Sequence, residues 1–264
     1  MFGAGVTLAA GCTRMAQSWY LSQYDRDIRA STAAIQSAKN DAERAASYSS
    51  RGEAYSEKAR YSRTMKLIGG EEYKRLFELA IQDHNKAIAL DPGNAEMYYR
   101  RGLAYSARAA LDMQQDPKAT TYLPLAKSDY LKAIERNSKY AMAYDMLGLT
   151  DSALGDWTQA IADFQQEAVL DPRSRYRVAE AYCNRGSVYL RDKKVDLAAS
   201  DLNQAMEMQE PADPCDCEPY NPLLAIYLTQ THEYDKARVV VAKAQALRKW
   251  IAPEYLQQLK AASR

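Results

Sequence analysis

Four cysteines and two histidines are the side chains of this 264-residue chain best suited to covalent or metal chemistry. Cys215-Asp-Cys217 sits in a proline-rich stretch, Glu210-Pro-Ala-Asp-Pro-Cys-Asp-Cys-Glu-Pro. A Cys-x-Cys pair can be redox-active, can ligate a metal, or can join a structural disulfide; unpaired thiols are the plain alternative. A tetrahedral metal site needs about four ligands, and Cys183 is the only further cysteine to consider with that pair. His84 lies in a helical run, Ala80-Ile-Gln-Asp-His, and reads as a core or boundary residue. His232, in Thr-His-Glu-Tyr, reads as a solvated turn residue. No Cys–His or Ser–His–Asp set stands at an arguable spacing, and Gly69-Gly70 is too short for a phosphate-cradling loop. The expectation is therefore no catalytic residue, no cofactor and no metal: a protein that is not an enzyme.

Composition agrees with that expectation. Lys and Arg number 35 against 34 Asp and Glu, a formal charge of +1 with no basic block. Such a chain carries no electrostatic footprint for nucleic acid. With 47% hydrophobic residues the chain can bury a sizeable core, which argues against disorder. Glycine is scarce, at 11, while alanine is abundant, favouring helix over strand.

Internal repetition then sets the elements that position everything else. Four segments place an aromatic four residues before a glycine: Tyr48…Gly52, Tyr98…Gly102, Tyr144…Gly148 and Tyr182…Gly186. In three of them a tyrosine follows three residues on, at Tyr55, Tyr105 and Tyr189. Each segment is followed by a second helical stretch that begins with a small residue, at Ala80, Ala126, Ala160 and Ala198. Asp91-Pro92 and Asp171-Pro172 close two of these stretches, because proline disfavours helix in the residue before it.

This pattern strongly resembles the tetratricopeptide repeat (TPR) family, whose unit is a 34-residue helix–turn–helix. The resemblance implies an all-α solenoid of antiparallel helix pairs with N- and C-terminal capping helices. The glycine of helix A lets the second helix approach closely, and His84 falls where the family usually puts a bulky side chain on helix B. The glycine spacings are 50, 46 and 38 residues, so the units carry insertions of 16, 12 and 4. The first insertion reads as about two added turns on each arm of a hairpin that turns at Gly69-Gly70. The second, Asp112–Pro124, reads as a loop ending in a helix N-cap at Thr120-Thr121. Five units are expected within residues 42–247: about 42–92, 95–138, 141–172, 175–210 and a degenerate 217–247, in which Leu224 replaces the glycine. Capping helices are expected over residues 18–41 and 248–264, with Asn40 and Glu43 forming a capping box between the first cap and the first unit. In this arrangement Cys183 and Cys217 fall on neighbouring units, so a bridge between them is one of the readings of Cys183, Cys215 and Cys217.

Residues 1–17 carry a second resemblance. Leu8-Ala-Ala-Gly-Cys12 is similar to the end of a bacterial lipoprotein signal, in which the cysteine receives the lipid. No Lys or Arg precedes the apolar run, which is short for a signal, and Ala9 stands where leucine is usual. A start codon placed too far downstream explains the missing charge. This resemblance implies a membrane anchor on Cys12 and a place in the cell envelope, on the periplasmic face and at the outer membrane. A soluble cytosolic adaptor or co-chaperone without the anchor is the alternative.

The family resemblance implies a concave surface, lined by the first helix of each unit, that receives a protein or peptide partner. The candidates are Tyr99, Arg100 and Leu103 in the second unit, Met142, Asp145, Met146 and Leu149 in the third, and Asn184 and Ser187 in the fourth. A clamp for a chaperone's C-terminal carboxylate is not expected, because Ser49 and Glu53 occupy places where that clamp has Lys and Asn. Whether copies of the chain associate stays open; the long first hairpin is a candidate surface for it.

Overall fold

The computed structural model describes residues 4–112, 121–210 and 217–262; for residues 4–18, 111 and 112 it describes the helical backbone alone. The described residues are mostly helical and contain no strand. They divide into two units, residues 1–150 and 151–264.

The first unit holds α1 (Ala4–Ser37), α2 (Asp41–Thr64), α3 (Gly70–Leu90), α4 (Ala95–Asp112), α5 (Tyr122–Arg136) and most of α6 (Ala141–Leu154). Helix α1 packs on α2, α2 pairs with α3, α3 packs on α4, and α4 pairs with α5. The first hairpin is the long one: α2 and α3 have 24 and 21 residues, against 14 each for α6 and α7 (Trp157–Leu170). Asn40 caps α2 as expected, its side chain accepting from the Glu43 backbone N–H at 2.8 Å. The Glu43 carboxylate reaches one residue further back, accepting from the Lys39 backbone N–H at 2.9 Å.

Two local expectations need correction. The α2–α3 reversal is made not by Gly69-Gly70 but at Lys66, which takes a left-handed φ of 54°. Gly69 is extended and Gly70 already begins α3. Thr121 precedes α5 but makes no capping bond, because its backbone is helical (φ −70°, ψ −21°) where a capping residue needs extended geometry. Residues 113–120 of that insertion, including Thr120, lie outside the described residues, as does Cys215 in the connector of the second unit.

The second unit holds the end of α6, then α7, a 3₁₀ turn (Pro172–Ser174), α8 (Arg175–Arg191), α9 (Val195–Met208), α10 (Tyr220–Ala225), a π turn (Ile226–Gln230), α11 (Tyr234–Ala246) and α12 (Pro253–Ala261). Its core gathers Leu202, Tyr220, Leu223, Leu224, Ile226 and Val240, all fully buried or nearly so. Leu224, at the degenerate glycine position, is thus a core residue. Each fully buried side chain of this size contributes roughly 1.5–3 kcal/mol relative to exposure. Asn221 ties the end of the chain to this core, accepting from the Ala252 backbone N–H at 3.0 Å and donating to the Trp250 carbonyl at 3.3 Å.

The terminal segments differ from the expected boundaries. The first helix begins at Ala4, so the stretch expected to be signal and tether is helical from there; the Cys12 side chain lies outside the described residues. The last helix, α12, lies within the expected cap and has no fully buried residue. Among the described residues no helix is long and apolar enough to cross a membrane.

Candidate functional site

Three of the first-helix glycines, Gly52, Gly102 and Gly186, do what their spacing implies. A β-carbon on Gly52 would sit 2.8 Å from the His84 ring, one on Gly102 2.6 Å from the Tyr130 ring, and one on Gly186 3.0 Å from Leu202 Cγ. The helix pairs close to that distance because no side chain intervenes.

A charged clamp accompanies each close approach. The arginine before the glycine forms a two-bonded pair with the aspartate three residues after the second helix's alanine. Arg51 meets Asp83 at 2.6 and 2.9 Å, Arg101 meets Asp129 at 2.7 and 2.6 Å, and Arg185 meets Asp201 at 2.7 and 2.9 Å. A further guanidinium N–H bonds the helix before: Thr32 on α1 for Arg51, Asn85 on α3 for Arg101, Thr158 on α7 for Arg185. Helix α1 therefore stands to the first repeat as a second helix stands to the repeat after it. The three aspartates are buried, and the three arginines are held above the ordinary guanidinium pKa: at Arg51 and Arg185 the aspartate bond is the main cause and burial opposes it, while at Arg101 burial opposes most strongly and the bond and charge of Asp129 overcome it. The signal was legible: Arg51-Gly52, Arg101-Gly102 and Arg185-Gly186 recur beside Ala80…Asp83, Ala126…Asp129 and Ala198…Asp201. In the third repeat Leu147 replaces the arginine, and Gln159 donates to Asp163 at 3.2 Å.

The first unit contains an open-mouthed cavity of about 390 Å³. One wall is apolar: Leu103, Ala104, Ala107 and Ala110 of α4, with Met146 of α6. Its rim is charged but paired. Arg100 bonds Glu53 and, at 2.7 Å, Glu96, while Arg60 bonds Glu57 at 2.6 Å. Tyr140 donates to the same Glu96. Burial raises the Tyr140 phenol well above its usual value, and the bond to Glu96 adds to that. Arg100 is also raised: burial works against its charge, and Glu53 and Glu96 overcome it. Three polar side chains line the cavity between wall and rim: Ser56, Ser106 and His84. Burial lowers His84 to about 3, with Arg100 and Arg101 adding to the effect, so its imidazole is neutral at physiological pH.

Of the expected surface residues, the cavity brings together Arg100, Leu103 and Met146. Tyr99 is turned to packing, its ring 6.0 Å from Tyr130 and 4.9 Å from Tyr140. Met142 is exposed, while Asp145 and Leu149 are half-buried; none of the three lines the cavity. Asn184 and Ser187 belong to the second unit, where both are exposed and Ser187 bonds its own helix at Cys183. The residues missed were His84, which faces the cavity rather than only filling the core, and Ser56. His232 is exposed, its Nδ1 lying 3.2 Å from the Leu228 carbonyl.

In the second unit Cys183 is bonded to Cys217, with Cα atoms 6.1 Å apart. The bridge is buried beside Tyr220, which donates to Gln209 at 2.6 Å, while Gln209 donates to the Cys217 carbonyl at 2.7 Å. It thereby fastens α8 to the entry of α10. Among the described residues no group of three His, Cys, Asp or Glu could hold a metal ion.

Comparison with known proteins bears on the same elements. Residues 77–107 match the family described as TPR repeat, and residues 179–211 match the family described as Tetratricopeptide repeat. Over 99 residues the chain is 30% identical to serine/threonine-protein phosphatase 5 of Mus musculus, a match covering 38% of this chain and 17% of the phosphatase. That match is to the phosphatase's repeats alone. Among solved structures, BtubC (BKLC) from P. vanneervenii is 17% identical with a TM-score of 0.52, covering 88% of this chain and 91% of that one, a likeness of fold. YrrB, described as a TPR protein with an unusual peptide-binding site, is 20% identical with a TM-score of 0.47, covering 89% of this chain and 98% of its own. With two matched repeats and the glycine, alanine and aromatic positions recurring between and beyond them, the chain belongs to the tetratricopeptide repeat family.

Proposed function

We propose that the protein is a non-catalytic scaffold that receives a segment of a protein partner at the cavity of its first unit. The observation that carries this reading is the juxtaposition of Arg100, Leu103 and Met146 around an apolar, open-mouthed cavity with a charged rim. Apolar walls rimmed by polar groups are the ordinary anatomy of a recognition site. Leu103→Glu and Met146→Glu test it: each should abolish co-purification of the native partner, whereas Leu131→Glu, at an exposed position on α5, should leave it intact. Equal retention by all three variants overturns the reading.

The scaffold is anchored in the cell envelope by a lipid on Cys12. Leu8-Ala-Ala-Gly-Cys12 supports this, and so does the buried Cys183–Cys217 bridge, since structural disulfides persist in oxidising compartments. Intact mass of the protein from native membranes, beside a Cys12→Ala form expressed from the true upstream start, decides it. A diacylglyceryl-sized addition lost in Cys12→Ala is expected; an unmodified chain beginning at Met1 contradicts the anchor and moves the scaffold to the cytosol.

A further inference from the structure

Four residues after the alanine of each second helix stand His84, Tyr130, Phe164 and Leu202. Two of the three besides His84 show how the place is normally filled. Leu202 lies against Gly186, and Tyr130 lies against Gly102 with its hydroxyl 2.9 Å from that of Ser106. Ser106 is four residues after Gly102, and Ser56 is four residues after Gly52. The first repeat thus places a ring and a serine in the same relation, His84 with Ser56. There the bond is missing. Among the described residues no hydrogen bond reaches Nδ1 of His84 or Oγ of Ser56, although both atoms are buried and His84 is only 1% exposed.

A buried polar atom without a partner destabilises the fold, and an apolar ring, as at Phe164, would avoid the loss. An imidazole also does not reach as far as a phenol. In the first repeat Ser56 and His84 both line the cavity, beside the apolar wall of Leu103, Ala107 and Met146. The rim charges are already matched within the protein, Glu53 with Arg100 and Glu57 with Arg60. An uncharged group with an apolar body and one hydrogen-bonding end suits such a site, and a thioether such as Met146 favours an aromatic ring.

We propose that this cavity is a pocket for a tyrosine side chain of the partner, whose phenol supplies to Ser56 and His84 the bond that Tyr130 supplies to Ser106. The inference rests on the partner-groove reading above. It is tested without a partner, by titrating the full chain with p-cresol, the tyrosine side-chain analogue, and with toluene. The imidazole ¹⁵N resonances report directly, because the chain has two histidines and His232 serves as the internal control. The expected result is a saturable shift of His84 alone, with an apparent affinity for p-cresol at least tenfold above that for toluene. In His84→Tyr the built-in phenol should reach Ser56, raise Tm and abolish p-cresol binding, which in variants that lack the reporting ring is measured by isothermal titration calorimetry against the wild type. Should that variant not fold, His84→Phe with Ser56→Ala removes the polar pair and should weaken p-cresol at least tenfold. No saturable shift at His84, equal affinities for p-cresol and toluene, or undiminished binding in these variants overturns the proposal, leaving a pocket filled by water or used as an apolar surface only. Because the titration needs no partner, its failure with partner loss in Leu103→Glu would discard the tyrosine pocket and keep the groove. Partner retention in that variant would discard the groove instead.

Discussion

At the scale of single residues, His84 couples the fold to pH. Its pKa is lowered from 6.5 to about 3, so the unfolded chain binds a proton that the folded chain refuses. Stability from this group is complete above pH 6.5 and is lost as pH falls toward 3, at roughly 1.4 kcal/mol per unit across that window. His84→Phe removes the linkage. Urea denaturation at pH 7 and pH 5 should show the wild type losing about 2 kcal/mol more than the variant; equal losses would mean that the imidazole is protonated inside the fold. Gly102 sets a second residue-scale balance. Alanine is the better helix former by about 1 kcal/mol, but its β-carbon would lie 2.6 Å from the Tyr130 ring. That ring is fully buried and bonded to Ser106, so it cannot swing aside. Overpacking of this kind costs about 1–3 kcal/mol. Gly102→Ala should therefore lower stability, and a raised Tm would show that the helices can move apart freely.

At the scale of elements, the arginine–aspartate clamps hold helix to helix. Asp129 is 2% exposed, so Arg101→Ala strands a buried carboxylate and should cost about 3–5 kcal/mol. Replacing both partners, Arg101→Leu with Asp129→Leu, should recover most of that loss, since an apolar pair of similar volume is often neutral. Leu147 already occupies the arginine position in the third repeat. Chemical denaturation of the two variants checks this; a double variant no better than Arg101→Ala would contradict it. The helices themselves were legible, because Gly52, Gly102, Gly148 and Gly186 with their flanking aromatics report a packing contact that must recur. The turns were less so. Gly69-Gly70 signalled a reversal that the chain makes at Lys66, since a left-handed conformation costs lysine only about 1–2 kcal/mol and tertiary packing overrides it. The clamps were written in the sequence, but an ion pair joins residues 16 to 32 positions apart and shows only when two helices are read together.

At the scale of the whole molecule, the two units carry different devices: the first holds the cavity and the second holds the bridge. Cys183 and Cys217 are 34 residues apart, and closing a loop of that length stabilises by about 3–4 kcal/mol in the chain-entropy treatment. Cys183→Ser with Cys217→Ser should lose about that much, seen as faster amide exchange in α8 and α10 and unchanged exchange in α2 to α4. Unchanged exchange throughout would show that the thiols are not bonded. Half of the candidate site was legible as well. Arg100, Leu103 and Met146 followed from the helix register, whereas His84 did not, because its position in a second helix is ordinarily core and only an unbonded Nδ1 beside a cavity distinguishes it. The central claim is that a partner enters the first unit at that cavity. The most direct measurement is photo-crosslinking in native cells with benzoylphenylalanine at position 103 in the wall and, separately, at exposed position 131 on α5. A partner adduct from position 103, absent from position 131, is the predicted result; adducts from position 131 alone, or from neither while the partner still co-purifies, would contradict it.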